Sequence, residues 1–104
     1  MKAIGFSTAE NYSFDHLLPA LKDRYHILPF LADGVMHISL SKDVNDESAP
    51  EAFIFNDGTF VTWGASAEED VQLLDVVTKA QVNPYATMET ERFDYYQDPT
   101  QYVF

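Results

Sequence analysis

Several groups of residues in this chain have types and spacings that invite chemistry. Gly64-Ala65-Ser66-Ala67-Glu68 lies between a strand-like and a helix-like stretch. That is the setting of a G-x-S-x-G nucleophile elbow, whose serine attacks an acyl group. The second glycine is missing. Ser66 and Glu69 instead have the spacing of a capping box, in which each side chain satisfies the other residue's backbone N–H, so Ser66 is read as a helix cap. Asp43, Asn45 and Glu47 alternate like the oxygen ligands of a calcium loop, but Ser48 stands where that loop needs glycine and its twelfth position is the apolar Ile54. A solvated acidic loop explains them better. His16, His26 and His37 are far apart, and a zinc site would need them to converge in space. Glu89 and Glu91 share one face of an extended stretch, with Asp94 nearby. Paired carboxylates can hold a cation or share a proton, and these three are the best candidates for a functional acidic patch. The glycines, Gly5, Gly34, Gly58 and Gly64, form no cluster that could cradle a phosphate. Without cysteine there is no disulfide, no thiolate metal ligand and no thiol nucleophile. No catalytic, cofactor-binding or metal-binding residue is assigned, and the expectation is a protein that is not an enzyme and needs no cofactor.

The 104 residues suit one domain spanning 1–104, and fifteen aromatic side chains (eight Phe, six Tyr, one Trp) supply bulky core material. The formal net charge is −11, from 17 acidic against 6 basic residues. Such a surface repels phosphate backbones and anionic lipid, so nucleic acid and membrane are not expected partners, and a basic protein is the natural complement. No run approaches the roughly twenty apolar residues of a membrane span, and no presequence is visible. The expected location is cytoplasmic, or mitochondrial if the chain belongs to a longer, presequence-bearing protein.

The pattern along the chain predicts the elements that must position these residues. Lys2 to Phe6 reads as a first strand. Phe14, Leu17, Leu18 and Leu21 form the apolar stripe of a helix that Ser13 can cap, with Pro19 kinking it or delaying its start to about Asp15. Tyr25 to Leu31 carries Pro29 and can be at best an edge strand. Val35 to Leu40 alternates as a strand with Met36, Ile38 and Leu40 on one face. The run from Ala52 to Trp63 reads as a hairpin turning at Asp57-Gly58, a two-residue type I′ turn that sets Phe55 opposite Phe60 and Ile54 opposite Val61. A second helix follows Ser66, with Val71, Leu74 and Val77 on one stripe, widened by Leu73 and Ala80. It stops at Asn83-Pro84, and a last strand runs from Tyr85 to about Tyr96. The expected class is therefore α+β: a ferredoxin-like antiparallel sheet with two helices on one face and one extra edge strand.

The hairpin and its sequel resemble a known family. Phe53-Ile54-Phe55-Asn56-Asp57-Gly58-Thr59-Phe60-Val61-Thr62-Trp63-Gly64, the Ser66-Ala67-Glu68-Glu69 helix start, Asn83-Pro84-Tyr85 and Glu89-Thr90-Glu91-Arg92-Phe93-Asp94-Tyr95-Tyr96 look, in that order, like the signature of the family named for being required for meiotic nuclear division. The likeness covers about half the chain. It implies a domain of unknown function that is not an established enzyme. In a mitochondrial inner-membrane relative it supports mitochondrial translation and forms large oligomers. Such members continue into a helical region, often with a membrane segment, that this sequence lacks.

The function expected from these readings is a protein-interaction or scaffold domain, with Phe53, Phe55, Phe60, Trp63, Glu89, Glu91 and Asp94 as its interaction patch. Two apolar hairpin faces and only two helices leave one face to be covered by a second copy or by a C-terminal region. The alternative is a small-molecule or cation-binding regulatory domain. A DNA-mimicking inhibitor rests on charge alone and ranks last.

Overall fold

A computed structural model describes residues 2–32, 34–41 and 49–94. They form an α+β structure. The elements are β1 (Lys2–Tyr12), α1 (Phe14–Lys22), β2 (His26–Ala32), β3 (Val35–Ser39), β4 (Glu51–Phe55), β5 (Thr59–Trp63), α2 (Ala67–Val77), a 3-10 turn (Thr78–Ala80) and β6 (Gln81–Asp94). The six strands make one sheet in the order β2-β3-β4-β5-β1-β6, with every neighbouring pair antiparallel. Both helices pack on the same side of it. Leu17 and Leu21 from α1 and Leu73, Val76 and Val77 from α2 join Phe6, Met36, Ile38, Ala52, Ile54 and Phe60 from the sheet in one buried cluster.

Alternation explains β3 and β4, where every second residue is buried. Met36 and Ile54 lie opposite each other on the helix side, as do Ile38 and Ala52. Pro29 confines β2 to the sheet edge as expected, and the β2–β3 register shifts across the stretch that contains it.

Several local expectations are corrected. The first strand runs on to Tyr12, because its second half gains partners that Lys2 to Phe6 alone does not reveal: Ala9, Asn11 and Tyr12 pair with Pro84, Val82 and Gln81. Helix α1 starts at Phe14 and continues through Pro19, but the Ser13 side chain does not cap it. Ser13 Oγ lies 2.7 Å from His16 Nδ1 instead, while the Ser13 carbonyl accepts the first helical bond from Leu17 N at 2.9 Å. The buried stripe of α2 is Asp70, Leu73, Val76 and Val77, continued by Ala80; Val71 is 65% exposed and Leu74 lies at the margin. The capping box is formed at the expected residues and sets the helix start. Ser66 Oγ accepts from Glu69 N at 3.1 Å, and Glu69 Oε1 accepts from Ser66 N at 2.9 Å. Asp70, one position on, thereby faces Thr62 on β5, whose hydroxyl donates to its carboxylate at 2.7 Å. The chain leaves the helix at Val77 and is already extended at Gln81, so Asn83-Pro84 sits inside β6 rather than at a helix end.

The hairpin register is also corrected. Phe55 pairs with Thr59, Ile54 with Phe60 and Phe53 with Val61. The loop therefore has three residues, Asn56-Asp57-Gly58, with Gly58 in the left-handed region at φ +87°. Three-residue loops that close on a left-handed glycine are the next commonest hairpin connection after the two-residue type. Asp57 holds the turn by accepting from Thr59 Oγ at 2.6 Å and from Thr59 N at 3.2 Å.

Next to this loop, Tyr12 is buried and its hydroxyl bonds the Thr8 hydroxyl. Burial pushes its phenol up to about 12. The Thr8 hydrogen bond opposes that rise, and the Asp57 carboxylate adds to it. Burial also raises Tyr25, with Arg24 opposing and Glu69 adding. Below pH 10 both residues are neutral in the folded and unfolded chain, and their contribution to stability is fully present. Between about 10 and 12 the unfolded chain releases the Tyr12 proton and the folded one keeps it, so stability falls as pH rises. Urea titrations from pH 9 to 12 should show that fall, and Tyr12→Phe should flatten part of it. An unchanged alkaline slope in Tyr12→Phe would assign the effect elsewhere.

Candidate functional site

Opposite the helices, the sheet presents a second face. Pairing sets its rows. Ser39, Glu51, Trp63, Ala3 and Phe93 form one, followed by His37, Phe53, Val61, Gly5 and Glu91, then Val35, Phe55, Thr59, Ser7 and Glu89. Ala3, Val61 and Trp63 make a small buried cluster here, with Phe53 and Phe55 partly buried against it. His37 stacks on Phe53, with ring centroids 4.4 Å apart and an interplanar angle of 10°, and its Nε2 lies 3.1 Å from Glu51 Oε1. Phe53 meets Trp63 edge to face at 6.4 Å.

Beside this aromatic row the face falls away into an open hollow of about 570 Å³, lined among others by Gly5, Ser7, Val61, Phe55, Asp57, Glu89 and Glu91. Two small residues cause it. Gly5 has no side chain and Ser7 a short one, and they lie between the bulky β4–β5 side and the glutamates of β6. The hollow thus has the Phe55 ring on one wall, Gly5 and Ser7 at its floor and carboxylates on the other wall, with the Asp57 carboxylate at the hairpin end. Glu89 and Glu91 are exposed to solvent.

The residues singled out from sequence are distributed as follows. Phe53, Phe55, Trp63, Glu89 and Glu91 share the outer face. Phe60 does not. It points to the helix side, fully buried and stacked on Phe6 with centroids 4.6 Å apart, because the three-residue loop puts it opposite Ile54 rather than Phe55. Asp94 pairs with Lys2, one position out of phase with Glu89 and Glu91. Asp43, Asn45 and Glu47 lie outside the described residues. His16, His26 and His37 sit on α1, β2 and β3 respectively, and among the described residues no three His, Asp or Glu side chains converge to hold a metal ion. The Ser66 hydroxyl is engaged in its helix cap.

The hairpin's apolar side chains are also less open than both-faced patterning suggests. Val61 and Trp63 are each 4% exposed, and among the described residues the exposed large apolar ones are Val71, Val82, Tyr85 and Met88. Tyr85 and Met88 belong to an outward arch on β6. Ala9 pairs with Pro84 and Ser7 with Glu89, so the intervening residues 85–88 have no register partner on β1. Asn83, at φ +53°, starts that arch, and its side-chain amide donates to Glu10 Oε2 at 3.0 Å.

Sequence reasoning missed Gly5, Ser7 and Asp57 as site residues. The signal was a glycine in the middle of a strand, which often marks close approach by another group. Among the described residues no helix is long and apolar enough to cross a membrane. Compared with family models, curated proteins and solved structures, the chain matches none.

Proposed function

We propose that this chain is a non-enzymatic protein-interaction domain that receives a basic partner on the outer face of its sheet. The hollow over Gly5 and Ser7 carries the reading, because it combines an aromatic wall at Phe55 with carboxylates on the facing wall in a chain of net charge −11. Complementary charge speeds encounter and selects partners, and the apolar wall adds contact area. Setting β2 and β3 aside leaves β1-α1-β4-β5-α2-β6, with β6-β1-β5-β4 adjacent in the sheet. That succession supports a ferredoxin-like plan extended by an inserted pair of strands. It is compatible with the resemblance to the family required for meiotic nuclear division, whose members the domain would join as an adaptor.

The test is affinity purification of the tagged chain from cells, comparing wild type with the double variant Phe55→Lys, Glu91→Lys and with Val71→Ser on the far side of the molecule. The expected result is a set of basic proteins held by wild type and Val71→Ser, released by about 0.5 M salt through screening, and lost in the double variant. Equal recovery by the double variant would overturn the reading.

A further inference from the structure

Resting on that reading, we infer that the hollow is a socket for one long cationic side chain of the partner, a lysine or arginine whose alkyl stem lies over Gly5, Ser7 and Val61 and whose charged head meets Glu89 and Glu91. The dimensions suit this. Phe55 and Glu89 are joined through Thr59 and Ser7 in register, three strand spacings apart, roughly 14 Å between backbones. Side chains standing up from both strands narrow the gap between them. A lysine or arginine side chain reaches roughly 6–7 Å from its Cα, enough to lie across the floor from the Phe55 wall to the glutamate wall, with each C–C bond adding about 1.3 Å along the stem.

The chemistry differs along that path. Phe55, partly buried on this face, offers apolar surface to the methylene stem, and long basic side chains characteristically bury their stems on such surface while keeping the charge wet. The β6 wall supplies only acceptors, in carboxylates exposed to solvent. An anionic head would meet like charge there, and a neutral donor would lack the charge-assisted bond that a cation makes. Asp57 is less available, because its carboxylate already accepts two bonds from Thr59. The two β6 glutamates are therefore the recognising groups, and Gly5 is the residue that opens the space. Gly5 is not among the glycines with positive φ, so a Cβ can be added without left-handed strain.

The experiment titrates the ¹⁵N-labelled chain of residues 1–104 with blocked pentapeptides, acetylated and amidated at their ends. Four probes are Gly-Gly-Xaa-Gly-Gly with Xaa as lysine, arginine, acetyl-lysine or diaminopropionic acid, the last a cation on a single methylene. Lysine and arginine should shift the amides of Gly5, Ser7 and Val61 with millimolar Kd. Acetyl-lysine, which loses the charge, should bind about tenfold more weakly. Diaminopropionic acid keeps the charge but loses three methylenes of stem contact, and should also weaken about tenfold. Glu91→Gln should cost lysine severalfold and leave acetyl-lysine unchanged. Gly5→Ala should weaken both long cations, and a retained amide spectrum shows that the variant is folded. Equal binding of diaminopropionic acid and lysine would overturn the socket, as would shifts centred away from Gly5 and Ser7, or no shift for lysine at tens of millimolar. Any of these with the partner set still lost in the double variant removes the socket and leaves the interaction reading. Peptide binding as expected without such a partner set does the reverse.

Discussion

Replacing Gly58 by alanine should remove more stability than other single conservative changes in the loops of this protein. Gly58 closes the β4–β5 loop at φ +87°, and a Cβ built there would lie 1.9 Å from the backbone oxygen of Ala9 and 2.5 Å from its carbon. Neither contact can be relieved by rotating a side chain. The loop and β1 are stitched together at this point: Thr8 N donates to the Gly58 oxygen at 3.0 Å, and Tyr12 N to the Asn56 oxygen at 3.0 Å. Alanine must push the hairpin tip off β1, break those bonds and adopt a disfavoured φ. The expected loss is roughly 4 kcal/mol or more, the range in which single changes become diagnostic, against the ~5–15 kcal/mol typical of a whole domain. Gly34→Ala is the internal comparison. Its φ is +77°, but the nearest atoms a Cβ would meet are those of the Asn56 side chain, at 3.0 to 3.2 Å. That side chain can move, so the cost should be about 1–2 kcal/mol, mostly backbone strain. Urea unfolding of both variants decides the matter. Equal losses would mean that the hairpin tip is not seated on β1 as described.

Phe60→Ala should cost about 3–5 kcal/mol, the usual range for deleting a fully buried aromatic ring. Phe60 has no exposed surface, stacks on Phe6 and lies in the cluster that α1 and α2 cover. The neighbouring Phe55→Ala should cost less than half as much, because Phe55 is only partly buried on the outer face. The pair separates two roles that look alike in the sequence. Phe60→Ala should lower the urea midpoint strongly. Phe55→Ala should leave the midpoint close to wild type while weakening binding of the long-stemmed cations. A mild Phe60→Ala together with a severe Phe55→Ala would reverse the assignment of the two sheet faces, and with it the position of the hollow.

Much of this architecture was legible in the residues. The Ser66–Glu69 spacing gave the capping box, since both partners lie within one helical turn and need no distant group. Pro29 placed β2 at an edge, because a missing N–H is a local property. The alternation in Val35 to Ser39 gave its buried face, because strand parity is a local rule. What failed did so where a distant partner decided between two locally acceptable states. Asp57-Gly58 suits a two-residue turn, and the same glycine also suits the last position of a three-residue loop. Docking against Thr8 and Tyr12 selects the second, and the one-residue change of register moves Phe60 from the outer face to the core. The α2 stripe takes in Asp70 because its carboxylate meets the Thr62 hydroxyl on β5, which an apolar periodicity cannot anticipate for a carboxylate. The acidic wall was visible as Glu89 and Glu91, two residues apart on one strand. The hollow beside it was not, because it exists only where β1 lies between β5 and β6 and brings Gly5 and Ser7 alongside those glutamates. Sequence alone therefore determined the element types, the edge strand and the sign of the surface charge, all set by neighbours along the chain. The tertiary structure alone decided the register, the face each aromatic ring takes and the shape of the site, because those depend on contacts between residues some fifty to ninety positions apart, such as Thr8 with Gly58 and Gly5 with Glu91.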